Sequence, residues 1–285
     1  MRIAELLAEA AQKLTAAGIE DARSEARLLL AYALGKSQSQ LFLAERDEVT
    51  PAERDALAPL LARRLRRKPF AYITQEKEFW SLPFFVDEHV LIPRPETEFL
   101  LEQALATPPA PGLICDLCCG SGAIAVVLAK ELRRPVLAMD ISPAALAVTR
   151  KNARRHSQEH RVWPVAADLF SALVPRPLFS LVVTNPPYVS SQEIAAGLPP
   201  EVAWFEPRLA LDGGDKGLEI ISRIRQMLAI FLLPAGEVFM EIGYGQGAAV
   251  AELFKRNFLG CRDFSEVEIL RDYAGRERVL HARLA

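Results

Sequence analysis

A chain of 285 residues, 51% of them hydrophobic, can bury one large core or two smaller ones. Its formal net charge of −2 argues against a surface built for nonspecific nucleic-acid binding, and no direct nucleic-acid partner is expected. No apolar run reaches the ~20 residues of a membrane helix, and Met1-Arg2-Ile3-Ala4-Glu5 opens no apolar leader, so a cytoplasmic protein is expected.

The first 75 residues carry helix signals and no strand signal. Ile3, Leu6, Leu7, Ala10 and Leu14 follow the spacing of one apolar helix face, and Gly18 closes it. Asp21 is placed to cap a second helix that carries Leu28, Leu29, Leu30 and Leu34 and stops at Gly35. Thr50-Pro51-Ala52-Glu53 joins a capping box to a proline at the first helical position, opening a third helix through Leu57, Leu60, Leu61 and Leu65. Arg63, Arg64, Arg66, Arg67 and Lys68 end it. That cluster suits either an acidic or RNA partner or a solvated helix end that complements the helix dipole. Residues 1–75 are expected to form a small helical domain.

Phe70-Ala71-Tyr72-Ile73 and the run Phe79 to Val86 are aromatic and β-prone, which predicts a β-hairpin linker over about 76–95. Leu91-Ile92-Pro93-Arg94-Pro95-Glu96-Thr97-Glu98 follows. Its prolines fix the backbone around Arg94 before a helix begins near Glu96. Thr97 and Glu98 are the residues of this string expected nearest a ligand.

From residue 112 strand and helix patterns alternate. Strands are predicted at 113–117, 135–139, 162–166, 181–184 and 237–242, with helices at 123–132, 143–155, 217–232 and 247–257. Two β-rich runs near 263–270 and 277–283, with Gly275 between them, fit an antiparallel edge hairpin. Repeated βα units predict an α/β doubly wound parallel sheet over 96–285.

The fourth predicted strand runs straight into Asn185-Pro186-Pro187-Tyr188. Two prolines stop the strand and stiffen the chain just past its carboxyl end, where open α/β sheets bind ligands. The Asn185 side-chain carbonyl and the Pro186 carbonyl can both accept from a planar NH2 group, and the Tyr188 ring can stack on it. Catalytic roles are therefore assigned to Asn185, Pro186 and Tyr188, with Pro187 beside them on the substrate. The tetrapeptide resembles that of S-adenosylmethionine-dependent methyltransferases acting on planar nitrogen.

Asp116 ends the first parallel strand, and Cys118-Cys119-Gly120-Ser121-Gly122 leads into a helix. Asp140 ends the second strand and is placed to take both hydroxyls of a ribose. An adenosine-type cofactor follows. The string from Gly120 to Ala125 also satisfies a dinucleotide pattern, so NAD stays open, although Asn185 and Asp116 favour S-adenosyl-L-methionine. Cys118 stands where such loops carry glycine. Asp168 suits either the adenine amino group or a helix N-cap, and Leu169 or Phe170 can pack on the adenine face. Cys115 and Cys118 form one C-x-x-C without a second pair, so no metal is expected.

Several strings together resemble the peptide chain release factor glutamine methyltransferase family (PrmC/HemK) over nearly the whole chain. They are the 91–98 string, Asp116-Leu117 with Gly120-Ser121-Gly122, Asp140-Ile141-Ser142-Pro143, Asn185-Pro186-Pro187-Tyr188, Glu206-Pro207-Arg208-Leu209-Ala210-Leu211 and Asp272-Tyr273-Ala274-Gly275-Arg276. The resemblance implies a class I, Rossmann-like methyltransferase domain. It also implies a helical N-terminal domain that helps hold the substrate protein. The implied reaction is methyl transfer to the N5 amide nitrogen of the glutamine in the Gly-Gly-Gln motif of release factors; a monomer and direct in-line attack by that nitrogen are expected. A DNA adenine N6-methyltransferase and an NAD-dependent dehydrogenase are the alternatives. Cys118-Cys119 and Leu169 depart from the family's usual residues.

Overall fold

The computed structural model describes residues 1–256 and 263–285. The predicted end of the last helix at Asn257 lies outside them. Contacts divide the chain into two compact units, Met1–Gln75 with Pro200–Phe205, and Glu76–Pro199 with Glu206–Ala285. The expected boundary kept 200–205 with the second unit, because a six-residue segment carries no signal of its own.

In the first unit, α1 (Ile3–Ala16), α2 (Ala22–Leu34), α3 (Gln38–Leu43), α4 (Pro51–Leu65) and α5 (Phe70–Thr74) pack around a shared core that includes Ile3, Leu6, Leu14, Leu29, Leu41 and Leu57. Thr50 and Glu53 close the capping box that starts α4, with Thr50 N donating to Glu53 Oε2 at 2.9 Å. Asp21 precedes α2 but makes no side-chain cap bond. The α3 helix has its own box, Ser37 with Gln40, which the sequence reading passed over. Phe70–Thr74 is helical rather than strand. Pro69 and a left-handed Gln75 bound it, and burial of Tyr72 and Ile73 outweighs their β preference.

Most of the basic cluster is structural. Arg63 donates to the carbonyls of Tyr72 and Ile73, and Arg67 to those of Ala17 and Gly18. Arg64, 4% exposed, meets Glu25 at 2.9 Å and Glu201 at 3.0 Å. Arg66 remains exposed.

The second unit opens with the hairpin β1 (Glu76–Phe79) and β2 (Leu82–Phe85), then α6 (Glu96–Leu105). The hairpin turns on Trp80 and Ser81, both at positive φ, as a two-residue turn needs. The βα series follows as β3 (Leu113–Leu117), α7 (Ala123–Leu132), β4 (Val136–Asp140), α8 (Pro143–Arg155), β5 (Val162–Ala166) and β6 (Phe179–Thr184). The short helix α9 (Ser191–Ala196) follows, then α10 (Pro200–Phe205), which belongs to the first unit, and the second unit resumes with α11 (Glu219–Phe231), β7 (Leu232–Glu241), α12 (Gly247–Lys255), β8 (Phe264–Arg271) and β9 (Glu277–Leu284).

The seven strands lie in the order β5-β4-β3-β6-β7-β9-β8. The first five are parallel, and β9 pairs antiparallel with both β7 and β8. The predicted doubly wound sheet with an antiparallel edge is therefore observed, with the last strand inside the pair it completes. Every residue of β6 is buried, as a central strand covered on both faces requires. Alternate side chains serve opposite layers. Leu181 and Val183 join the core containing α6 and α7, and Val182 joins the one containing α11 and α12. The order in which strands are added to the sheet reverses between the parallel neighbours β3 and β6, whose carboxyl ends carry the two strings singled out above.

Candidate active site

Asp116 closes β3 with its side chain fully buried, and its Oδ2 accepts the Ala125 N–H at 2.8 Å in the first turn of α7. Among the described residues, its buried Oδ1 has no hydrogen-bond partner. Burial pushes this carboxyl well above its usual range, against the Ala125 bond, and the neighbouring Asp140 adds to the rise. The loop that follows needs left-handed backbone at Cys118 (φ 61°), Gly120 and Gly122. Cysteine accepts that conformation only at some strain. At Gly122 a Cβ would lie 2.6 Å from Thr149 Cγ2, so conformation and space both demand glycine. Burial raises the Cys118 and Cys119 thiols, which stay neutral.

The loop is held from behind. Thr149 Oγ1 donates to Gly120 O at 2.9 Å, and Asn152 Nδ2 donates to Ser121 O at 2.9 Å. Asn152 also exchanges bonds with both backbone groups of Phe85 at the end of β2. In front, Asp140 takes the Gly120 N–H at 2.8 Å and the Ser142 N–H at 2.9 Å. Burial lifts the Asp140 pKa despite these bonds.

A cavity of about 250 Å³ opens over the loop. Its wall includes Cys118, Cys119, Gly120, Ser121, Asp140, Asp168, Leu169, Asn185 and Pro187, so nine of the residues proposed from sequence meet at one space. Asp116, Gly122, Pro186 and Tyr188 are not in that wall. Asp168 is no helix cap: its Oδ2 accepts from Arg223 Nη2 at 2.7 Å. Leu169 is buried at φ 51°. Thr97 faces the cavity, whereas Glu98 turns away and accepts the Trp80 N–H of the hairpin turn at 2.8 Å.

Asn185 Nδ2 donates to Thr97 Oγ1 at 3.1 Å, and Thr97 Oγ1 donates to Glu241 Oε2 at 2.6 Å. Tyr188 OH donates to Glu241 Oε1 at 2.9 Å, which ties the ring by its polar end. Burial raises the Glu241 pKa against these two bonds. Gln246 Nε2 donates to Tyr188 O at 2.9 Å, and Gly217 packs so closely on the same carbonyl that no Cβ would fit. Arg94 closes on buried Glu206 through one nitrogen at 2.7 and 2.6 Å, joining the proline strings at 93–95 and 207. Asn152 and Gln246 carry no local pattern that marks them. The Arg94–Glu206 pairing joins two strings already noted for their prolines.

The PrmC N-terminal domain model matches residues 5–74, and the Methyltransferase small domain model matches residues 95–201. The release factor glutamine methyltransferase of Cereibacter sphaeroides is 40% identical, covering 100% of this chain and 99% of that one. The Salmonella typhimurium protein of the same name is 40% identical over 92% of each. Among solved structures, the hMettl16 catalytic domain in complex with a MAT2A 3'UTR hairpin superimposes with a TM-score of 0.56 at 16% identity, over 89% of this chain and 90% of that one. That likeness shows a shared class I methyltransferase fold. With such identity along its full length, the chain belongs to the release factor glutamine methyltransferase family.

Proposed function

We propose that the protein transfers a methyl group from S-adenosyl-L-methionine to the side-chain amide nitrogen of the glutamine in the Gly-Gly-Gln motif of peptide chain release factors, acting as a cytoplasmic monomer. The observation that carries the reading is Asn185, set at the carboxyl end of β6 on the wall of the cavity that also holds the glycine loop and Asp140.

The residues fit the cofactor. It is a cation with a ribose, and the cavity wall offers an oriented carboxylate at Asp140. Gly120 has open space where a Cβ would stand, which allows close approach to its backbone. Asp140 would take the ribose hydroxyls, Leu169 would pack on the adenine, and the loop at 118–122 would hold the amino-acid part. When bound, the cofactor supplies an electrophilic methyl group that needs no further activation.

The chain's own contribution is placement. Asn185 Oδ1 accepts one N–H of the incoming amide and the Pro186 carbonyl accepts the other, which fixes the nitrogen's plane and direction. Pro187 and Tyr188 hold that backbone stiff, with Gln246 and Gly217 behind Tyr188 O. The apolar wall from Leu117, Met139 and Leu169 keeps water away.

Radiolabelled adenosylmethionine offered with unmethylated release factor, with a Gln→Ala variant at the Gly-Gly-Gln motif, and with duplex DNA tests the reading. Label is expected only in the intact release factor. Label in DNA, or in the Gln→Ala variant, would overturn it.

A further inference from the structure

Three elements meet in one unbroken chain of hydrogen bonds: the turn after β6 gives Asn185, the first turn of α6 gives Thr97, and the end of β7 gives Glu241. Glu241 is 1% exposed, and each of its oxygens accepts from a hydroxyl, Oε2 from Thr97 and Oε1 from Tyr188. Both oxygens act as acceptors here, so Glu241 gives Thr97 no hydrogen. Thr97 therefore directs its single O–H at Glu241 and can meet Asn185 only as an acceptor. The end of the Asn185 amide that faces Thr97 must then be its NH2, and the carbonyl Oδ1 points the other way. The accepting oxygen of Glu241, relayed through one hydroxyl, dictates the direction of the amide.

We infer that Glu241 and Thr97 are positioning residues that lock Asn185 in the flip presenting Oδ1 to an incoming primary amide. The inference rests on the reading that Asn185 holds the substrate nitrogen. With the lock intact, an acceptor meets the N–H donors of a glutamine side chain. With the amide turned over, NH2 would face NH2, and the bond that orients the substrate would be replaced by a clash of donors. Asparagine supplies both ends at almost equal shape, so shape alone cannot choose between them. A carboxylate buried beside Thr97 can, and that gives Glu241 a reason to sit in the interior at the cost of its own desolvation.

The test compares full-length Thr97→Val, Thr97→Ser, Glu241→Gln and the Thr97→Val/Glu241→Gln double variant, with adenosylmethionine and unmethylated release factor. Glu241→Gln keeps shape but can offer NH2 to Thr97, which frees the hydroxyl to donate to Asn185 and turn it over. Thr97→Val and Glu241→Gln are each expected to lower kcat by about 10- to 100-fold, the range of one misdirected hydrogen bond to the reacting group. KM for the release factor and Kd for adenosylmethionine should stay within about twofold, because the lock acts on orientation rather than on either binding surface. Thr97→Ser, which keeps the hydroxyl, should return kcat to within about threefold of wild type. The double variant should be no worse than the poorer single one, since both break the same lock.

A merely structural role predicts falling cofactor affinity along with kcat, and additive losses in the double variant; that pattern would overturn the inference. So would a Glu241→Gln protein with unchanged cofactor Kd whose kcat stays within about twofold of wild type. Glu241→Gln decides the matter if Thr97→Val fails to fold. A wild-type protein that labels no release factor would strike the parent reading instead, whereas active wild type with unaffected variants strikes this inference alone.

Discussion

Asp140 Oδ2 accepts the Gly120 N–H at 2.8 Å, so the acid that ends β4 is bonded to the loop that follows β3. Its other oxygen takes the Ser142 N–H at 2.9 Å, which leaves the carboxylate oriented with lone pairs facing the cavity. Asp140→Ala removes both the loop's anchor and the acceptor proposed for the ribose hydroxyls. Bonds to a charged group contribute about 1.5–3 kcal/mol each, so adenosylmethionine Kd should rise by about 10- to 100-fold or more. Isothermal titration measures this directly; an unchanged Kd would remove Asp140 from the cofactor site.

Asn185→Ala should separate binding from turnover. Adenosylmethionine affinity is expected to stay within about threefold of wild type, while kcat falls by about 10²–10³-fold, as when one oriented group is removed from a reacting centre. Single-turnover kinetics with saturating cofactor would show it, and near-normal turnover would end the assignment.

Gly122 tests the loop's backbone. Gly122→Ala introduces a left-handed alanine at φ 75° with Cβ 2.6 Å from Thr149 Cγ2, so a loss of about 2–4 kcal/mol is expected. At Cys118, φ 61° tolerates glycine but not a β-branched side chain. Urea melts should rank Cys118→Gly close to wild type and Cys118→Val below it by about 1–3 kcal/mol.

Asp116 gives a pH signature. Burial raises its folded pKa above the ordinary carboxylate value, so across the window from about pH 4 up to that raised value the folded state holds more protons than the unfolded one. The contribution of Asp116 to stability therefore falls as pH rises through the window. Asp116→Asn abolishes the titration. The stability of Asp116→Asn relative to wild type should climb between pH 4 and pH 8 in the absence of cofactor, even as adenosylmethionine affinity drops. A pH-independent difference would show that Asp116 ionises normally.

Arg64 anchors the first unit through Glu25 and Glu201. Both acids are partly exposed, so Arg64→Met should cost about 1–3 kcal/mol rather than the full price of a buried pair. Arg66→Ala, at an exposed position just past the end of the same helix, should change stability by less than about 0.5 kcal/mol. Equal effects in a denaturant titration would mean the cluster acts only through its summed charge.

The sheet and the main features of the site were legible because they are written as short strings. Strand, glycine turn and helix announce the cofactor end, and two prolines after a buried strand announce Asn185. What stayed hidden depends on distance in sequence. Thr97 and Glu241 are 144 residues apart, and Asn152 reaches Phe85 across 67. No periodicity records such pairings, since they exist only once the sheet has brought its strand ends together. Phe70–Thr74 was misread for a different reason: local β preference was judged without the burial that overrides it. The role of Glu98 was misjudged because neighbouring residues of one helix turn face different partners.

Asn152 ties together two parts of the second unit that perform no chemistry on each other. Both ends of its side-chain amide bond Phe85 in the β1–β2 hairpin, and its NH2 group also donates to the carbonyl of Ser121. Phe79 and Phe84 pin this short hairpin into the main core, both of them buried. Any change that loosens the hairpin would thus slacken the nucleotide loop through one side chain while the central strands remain paired. A substitution far from the methyl donor could then weaken its grip without unpairing the sheet.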